Sequence, residues 1–555
     1  MHNPFTPKPG DRVVRRPRES EMAPVHARVE RREVSVRGPT SPMMLVYSFF
    51  AVALVGAILL SLPVANSSGE FMSPIGTFFT SVSAITGTGL IIVDTREHWT
   101  AFGETVLAVL IFIGGLGFMT GAAFLLVITG RRSSLQGRLV VGAGLDDNRL
   151  GTIASLARNI ILMAIIVQII GAILIFIRLY VVAPMWDGMT LGEGLWQSVF
   201  TSISAFNNAG FEILPDKYVG GTSLTGLSND IPSLTIIGVM ILIGATSYAT
   251  LANVIDVRGL RGWQSSNDRP NRSNKRLYVS SMAILITIGI LLVIASTNND
   301  QSSLRMPGIT LITVAASGAA LGYLVRIKSW RQLTLDSKLV LVGTGIMLLI
   351  GLIAFMTFEW NNSKTIGDEP FQRKISQAFF HTVNRTAGFS TLDYGSLHSA
   401  NLSVTEGMMF VGGASASVAS GIKVNTFMVI LVAAYAIFSG RERTRVFGRE
   451  IPRVNVHRAM AVGATATGAM SIAIIALFAV QPDIDFRTGV FEIVSAFGTV
   501  GWSAGATPHL NDAAKIVVSI TMFAGRFGPI TLALFMAGRE QQETIRYATE
   551  RVRVG

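Results

Sequence analysis

Ser83-Ala-Ile-Thr-Gly-Thr-Gly89-Leu90, Ser204-Ala-Phe-Asn-Asn-Ala-Gly210-Phe211, Thr382-Val-Asn-Arg-Thr-Ala-Gly388-Phe389 and Ser495-Ala-Phe-Gly-Thr-Val-Gly501-Trp502 are four spellings of one pattern. A small hydroxyl residue is followed six positions later by glycine, and then by a large apolar residue. Each copy sits just before an apolar stretch long enough to cross a membrane. Taken singly, each glycine reads as a turn or helix-packing residue. Four in the same register describe a ring, because glycine reaches backbone angles closed to other residues and can turn neighbouring carbonyls toward a common axis. Rings of backbone carbonyls are how proteins replace the water shell of a potassium ion.

The rest of the chain supplies the setting for such a ring. Its 555 residues are 50% hydrophobic and only 14% charged, with mean hydropathy +0.50, which marks an integral membrane protein. Apolar runs recur near 44–63, 103–129, 155–182, 233–257, 277–296, 308–325, 337–357, 406–438, 459–480 and 512–537, giving ten candidate spanning helices. The first follows about forty polar, basic residues without a small-residue cleavage site, so it reads as a retained helix. With no cysteine, disulfides and thiolate chemistry are excluded. The net charge of +12 could suggest nucleic acid, but 34 of the 46 Lys and Arg fall in alternate loops and the two tails. That is the positive-inside bias: it places both termini in the cytoplasm and gives no reason to expect nucleic-acid binding.

All four glycine segments fall in the sparsely basic loops, assigned to the outside. Each follows a short apolar stretch, 75–85, 195–206, 375–383 or 490–497, suited to a half-crossing. The repeating unit is therefore helix, re-entrant helix with loop, helix; non-helical backbone at membrane depth requires a protein-lined or watery cavity. Gly89 and Gly210 are 121 residues apart and Gly388 and Gly501 are 113 apart, but Gly210 and Gly388 are separated by 178. The excess matches two further helices. The expected fold is an all-α polytopic membrane protein with four pseudo-repeated units around a central pore, plus one extra helix hairpin. Its divisions are a basic tail 1–42, units 43–130, 150–257, 336–438 and 459–538, an inserted hairpin 277–326 and a tail 539–555.

On these residues the chain resembles the Trk/Ktr/HKT superfamily of potassium transporters, most closely a Ktr-type membrane subunit. The resemblance covers roughly 44–257 and 336–540; the inserted helix pair departs from the eight-helix core it implies. It further implies a potassium selectivity filter of Thr86, Gly87, Thr88 and Gly89; Asn207, Asn208, Ala209 and Gly210; Arg385, Thr386, Ala387 and Gly388; and Gly498, Thr499, Val500 and Gly501. The run Gly412, Gly413, Ala414, Ser415, Ala416, Ser417, Val418, Ala419, Ser420 and Gly421, with Lys423 beyond it, interrupts an apolar segment and matches the family's intramembrane gate. Arg526 matches a basic residue projecting toward the conduction path. Also implied are a homodimer in a bacterial cytoplasmic membrane, surrounded by lipid, and a cytoplasmic ring of nucleotide-binding regulatory subunits. The cargo would be potassium, with sodium permeant or activating and no cofactor. The alternatives are a Trk-type or pump-associated channel-like subunit, or a membrane enzyme.

Physical chemistry narrows these expectations. Carbonyl ligands suit an ion that sheds water readily, whereas magnesium and calcium sites normally use carboxylates or retained water. A buried cation costs about 2.5–3.5 kcal/mol at a helix centre, so Arg385, Lys423 and Arg526 each need a partner or a task. Arg385 suits a buttress behind its loop, Lys423 could reach the aqueous edge with its stem buried, and Arg526 could hold the gate or form an ion pair. Acidic residues of the outer loops, Asp94, Glu212, Glu359, Asp393 and Asp485 among them, either concentrate cations or serve as solvated loop surface. His381 reads as a hydrogen-bonded packing residue. No nucleophile, paired carboxylates or metal-ligand spacing supports an enzyme, and Gly114-Gly-Leu-Gly117 lies in a spanning segment, the wrong context for a dinucleotide loop.

Overall fold

The computed structural model describes residues 42–130, 148–182, 190–214, 224–257, 325–327 and 330–538. The first unit comprises α1 (Pro42–Ser61), the short α2 (Pro74–Thr86) and α3 (Ala101–Gly130). The second has α4 (Asn148–Phe176), a π-helical extension Ile177–Val182, the short α5 (Leu191–Phe206), then α6 (Ile231–Ala245) and α7 (Tyr248–Val254). In the third, α8 (Leu335–Phe358) and the short α9 (Phe371–Val383) precede α10 (Ser399–Phe410) and α11 (Val424–Phe438). The fourth is α12 (Arg453–Val480), the short α13 (Phe486–Gly498) and α14 (Asp512–Gly538).

The short helices are set by their ends. Ser73 accepts from the Gly76 N–H with Pro74 at the first position of α2, Thr190 and Glu193 form a capping box on α5, and Asp485 accepts from the Thr488 N–H on α13. α2 has 13 residues, about 20 Å of helix, short of the roughly 30 Å hydrocarbon core. By contrast α3, α4, α8 and α12 contain stretches long and apolar enough to cross a membrane. Over residues 160–176 of α4 the exposed positions are themselves apolar, Ile166, Ile169, Ile170 and Ile173 among them, as expected of a surface that meets lipid.

The units pack in rotation. Each short helix lies against a long helix of its own unit and against the helix that follows the glycine segment of the unit before it: α5 on α3, α9 on α6, α13 on α10, and α2 on α14. The last of these contacts joins the fourth unit to the first, so the arrangement closes.

One expected span differs from what is found, and two others fall almost wholly outside the described residues. The run 233–257 is not one helix: α6 and α7 meet at a 104° bend. Thr246 is extended, and the Ser247 hydroxyl accepts from the Thr250 N–H at 3.1 Å, which starts a new helix immediately. The proposed helices 277–296 and 308–325 lie outside the described residues except for Val325, which belongs to a strand. β1 (Ile255–Val257) pairs antiparallel with β2 (Val325–Ile327), placing Val257 opposite Val325. A second antiparallel pair, β3 (Arg445–Val446) with β4 (Arg449–Glu450), follows α11.

Candidate functional site

Each short helix runs directly into its glycine segment, so four helix C-termini, each carrying about half a negative charge, approach one place. Gly89, Gly210, Gly388 and Gly501 all have left-handed backbones, with φ of 85°, 72°, 69° and 98°. A methyl group placed on Gly89 would strike the Ala209 carbonyl oxygen; on Gly210, that of Ala387; on Gly388, that of Val500; and on Gly501, that of Thr88. The contacts run head to tail in chain order and close. Glycine is thus required twice at each position, by its φ and by its neighbour's backbone.

Below the glycines three loops share one construction. Gly87, Asn208 and Thr499 are left-handed, at φ 63°, 54° and 47°. The next N–H, of Thr88, Ala209 or Val500, returns to the carbonyl of Ser83, Ser204 or Ser495 at 2.8, 2.9 and 2.9 Å. The third loop is built differently. Thr386 is not among the left-handed residues, and Ala387 N–H bonds to Asn384 at 2.9 Å. Asn384 Nδ2 also donates to the Phe389 carbonyl. A side-chain contact ties this loop to the second, with the Asn208 amide 2.8 Å from the Thr386 hydroxyl.

The shared hydroxyl does not do the same work in all four copies. Ser83 Oγ donates to the Leu90 carbonyl at 2.8 Å, and Ser495 Oγ accepts from the Gly501 N–H at 3.1 Å, each bracing its loop. Thr382 bonds to Ala378 in its own helix at 2.7 Å, and Ser204 Oγ is buried with no hydrogen-bond partner among the described residues.

The chain leaves helix at Val411 and resumes at Val424, and the intervening loop is held from several sides. Gly412 N–H donates to Ile422 at 2.8 Å, and Ile422 N–H to Phe410 at 3.1 Å. The break between α6 and α7 frees the carbonyls of Gly244 and Ala245, which accept from Val418 N–H at 3.2 Å and Ala414 N–H at 2.9 Å. Arg526, only 1% exposed, donates to the Val418 carbonyl, to Ser420 Oγ at 3.1 Å and to the Gly114 carbonyl at 3.2 Å. A Cβ on Gly87 would sit 3.8 Å from Arg526 Nη1, so this guanidinium lies between the first glycine loop and the 411–423 loop.

Lys423 is buried, not extended to an aqueous edge: Nζ donates to the Ala419 carbonyl and lies 5.2 Å from the Phe118 ring. Arg526 lies over the same ring at 4.5 Å. Arg385 donates to the carbonyls of Met408 at 3.3 Å, Val411, and Gly412 at 3.3 Å, joining the third glycine loop to the end of α10. Among the described residues none of these three cations pairs with a carboxylate. Backbone carbonyl oxygens of the 411–423 loop, the end of α10 and the middle of α3 take that role.

Pattern reading passes over several residues that shape the site. Gly114, Gly244 and Gly525, in the helix after each of three loops, would press a methyl onto the carbonyls of Ile85, Phe206 and Phe497, the last turn of the short helix. Their recurrence at that place was available in the sequence but sits amid many glycines. Glu492, wholly buried in α13, accepts from the Ser503 hydroxyl, from Ala504 N–H at 3.1 Å and Ala506 N–H at 3.2 Å, and from the Thr507 hydroxyl at 2.5 Å. Glu492→Ala should lower stability by about 3 kcal/mol, since buried donors lose their acceptor, read as a fall in the melting temperature of the detergent-solubilised protein.

Five of the acidic residues considered as cation attractors have structural tasks. Glu359 is buried among the His398 N–H and the side chains of Asn401, Asn362 and Thr365. Asp94, Asp393 and Asp485 cap helical turns, and Glu212 accepts from the Leu214 N–H. Outside the spanning segments, burial together with the Glu359 charge holds the Tyr394 phenol well above its usual pKa, so it stays a neutral donor. Its hydroxyl meets His381 Nδ1 at 2.9 Å, and His381 Nε2 meets Thr391 Oγ1 at 2.9 Å, the packing role read for that histidine.

The family model described as TrkH, cation transport protein, matches residues 23–298 and 311–547. The Ktr system potassium uptake protein B of Bacillus subtilis is 32% identical over 93% of this chain and 97% of its own length. The protein of that name from Vibrio alginolyticus is 29% identical over 93% of this chain and 95% of its own. The potassium/sodium uptake protein NtpJ of Enterococcus hirae is 28% identical over 94% and 98%. Among solved structures, the potassium transporter TrkH of Vibrio parahaemolyticus superposes with a TM-score of 0.60 at 16% identity, covering 91% of this chain and 86% of that one, a likeness of fold.

Proposed function

Since this chain belongs to the TrkH family of cation transport proteins, as a Ktr-type membrane subunit, we propose that it takes up potassium through the ring of four glycine loops. It is a potassium or cation uptake transporter of the Ktr/Trk type, and its relatives are transporters, not enzymes. The observation that supports the finer reading is the head-to-tail closure of four left-handed glycines, each against a carbonyl of the next loop; in this reading the ring lines one passage with backbone oxygens. The residues 86–89, 207–210, 385–388 and 498–501 form the selectivity filter. Within the third set Arg385 is a support, because a guanidinium on the axis would repel the cargo. The four short helices aim their negative ends at that passage from the outer side.

The 411–423 loop, with Arg526 and Lys423, is the gate beneath the filter. Its small residues allow more than one backbone arrangement, and its attachments are hydrogen bonds that a conformational change can exchange. Both termini face the cytoplasm of a bacterial cell. The chain works as a homodimer with a cytoplasmic nucleotide-binding partner; the Ktr-system names of its relatives support such a partner. Sodium either permeates or activates, a reading suggested by the potassium/sodium name of one relative.

Purified protein in liposomes should carry potassium and rubidium in preference to sodium, and expression with a regulatory subunit should restore growth of uptake-deficient cells at low potassium. Correct insertion with no flux of any alkali cation would refute this reading. Copurification with an ATP-hydrolysing membrane partner would instead favour a pump-associated subunit.

A further inference from the structure

The four residues that follow the ring glycines are Leu90, Phe211, Phe389 and Trp502, and of these side chains only the last carries an N–H. Trp502, 2% exposed, uses it: Nε1 donates to the Phe389 carbonyl at 2.8 Å, from the fourth loop to the third. Phe389 follows Gly388 directly, so the bond spans the seam at which Gly388 meets Val500.

The third loop also lacks the hydroxyl brace that the first and fourth loops have. In the first loop the corresponding carbonyl, of Leu90, is held by Ser83 from within the same loop. In the third loop Thr382 turns its hydroxyl onto Ala378, and the Phe389 carbonyl takes the Asn384 amide and the Trp502 indole in its place. The indole is itself fixed. It stacks on Tyr394 with ring centroids 4.3 Å apart at 27°, and the Tyr394 hydroxyl is anchored to His381 of α9. The brace therefore runs from the third unit's short helix, through its outer loop and the fourth unit's indole, and back to the third loop.

We propose that Trp502 is a positioning residue for ion selectivity, setting the spacing between the third and fourth glycine loops through its hydrogen bond to the Phe389 carbonyl. The inference rests on reading the ring as the filter. Whether discrimination against sodium comes from ring size or from carbonyl field strength, both depend on where the oxygens are held.

The test is the potassium-to-sodium flux ratio of full-length protein in liposomes. Trp502→Phe keeps the stacked ring and deletes the donor, and should lower the ratio about fivefold, the scale of one hydrogen bond. Trp196→Phe is the matched control. Its indole makes another bond between units, to Glu104 at 2.7 Å, and its loss should leave the ratio unchanged. An equal fall in both variants would mean general loosening and overturn the proposal. A wild-type ratio in Trp502→Phe, with a lowered one in Gly388→Ser, would also overturn it while leaving the filter in place. If neither changes the ratio, the ring is not the filter and both readings fall. Should Trp502→Phe not reach the membrane, Tyr394→Leu removes the stacking plate but keeps the donor; it should move the ratio in the same direction, and an unchanged value would sink the idea.

Discussion

Gly388→Ser should cut the potassium-to-sodium flux ratio by at least about tenfold, because two independent penalties fall on one atom. At φ +69° any side chain is strained, by about 1–2 kcal/mol for a left-handed L-residue. The added Cβ would also lie against the Val500 carbonyl oxygen and close to Gly501. Val500 must shift, and its carbonyl is one that the filter reading assigns to the ion. The third loop has little slack to absorb this, since Arg385 pins it to the end of α10 and Asn384 pins its outer carbonyl. Competitive rubidium and sodium uptake into liposomes gives the ratio. A value unchanged from wild type would remove the third loop from the filter.

Arg526→Gln should raise potassium uptake in the absence of any regulatory subunit, on the order of tenfold. The wild-type guanidinium contacts the 411–423 loop at the Val418 carbonyl and Ser420 and secures it to Gly114 of α3. Hydrogen bonds from a charged donor contribute about 1.5–3 kcal/mol each, so losing even one moves a two-state loop by about tenfold or more. Glutamine can replace a single contact but neither the charge nor the fork. Because the guanidinium lies beside the first glycine loop, the same change lifts an electrostatic barrier beneath the filter. Flux as low as that of wild type would show that the loop is restrained by its other attachments, chiefly the Gly244 and Ala245 carbonyls.

The fold was legible because its determinants are local. Apolar length marks the spans, and Pro, Ser, Thr and Asp at their starts mark the short helices. The glycines announced themselves by register, since each is required by its own φ and by a neighbour's backbone. The limits of that reading are as instructive. The third loop's separate construction depends on Asn384 and a turned Thr382, and a pattern of small hydroxyl and glycine treats Thr382 and Ser83 as equivalent. The 104° bend after α6 hides in Gly-Ala-Thr-Ser, which reads as apolar enough to continue but holds an N-cap serine. Lys423 by sequence could reach the aqueous edge, whereas its partner is a carbonyl, which carries no residue signature. Backbone acceptors explain why the three buried cations lacked an obvious partner in the sequence.

The pairing of β1 with β2 has an effect beyond its six residues. Chain that departs at Val257 comes back at Val325 on the facing strand, so the two points that flank residues 258–324 are held side by side. With its ends already paired, the loop-closure cost of the chain between them rises slowly with length, about 0.6 kcal/mol per doubling. By that entropy, a change of length between Val257 and Val325 is cheap, and the two strands still hand the chain from α7 to α8 at one fixed doorway.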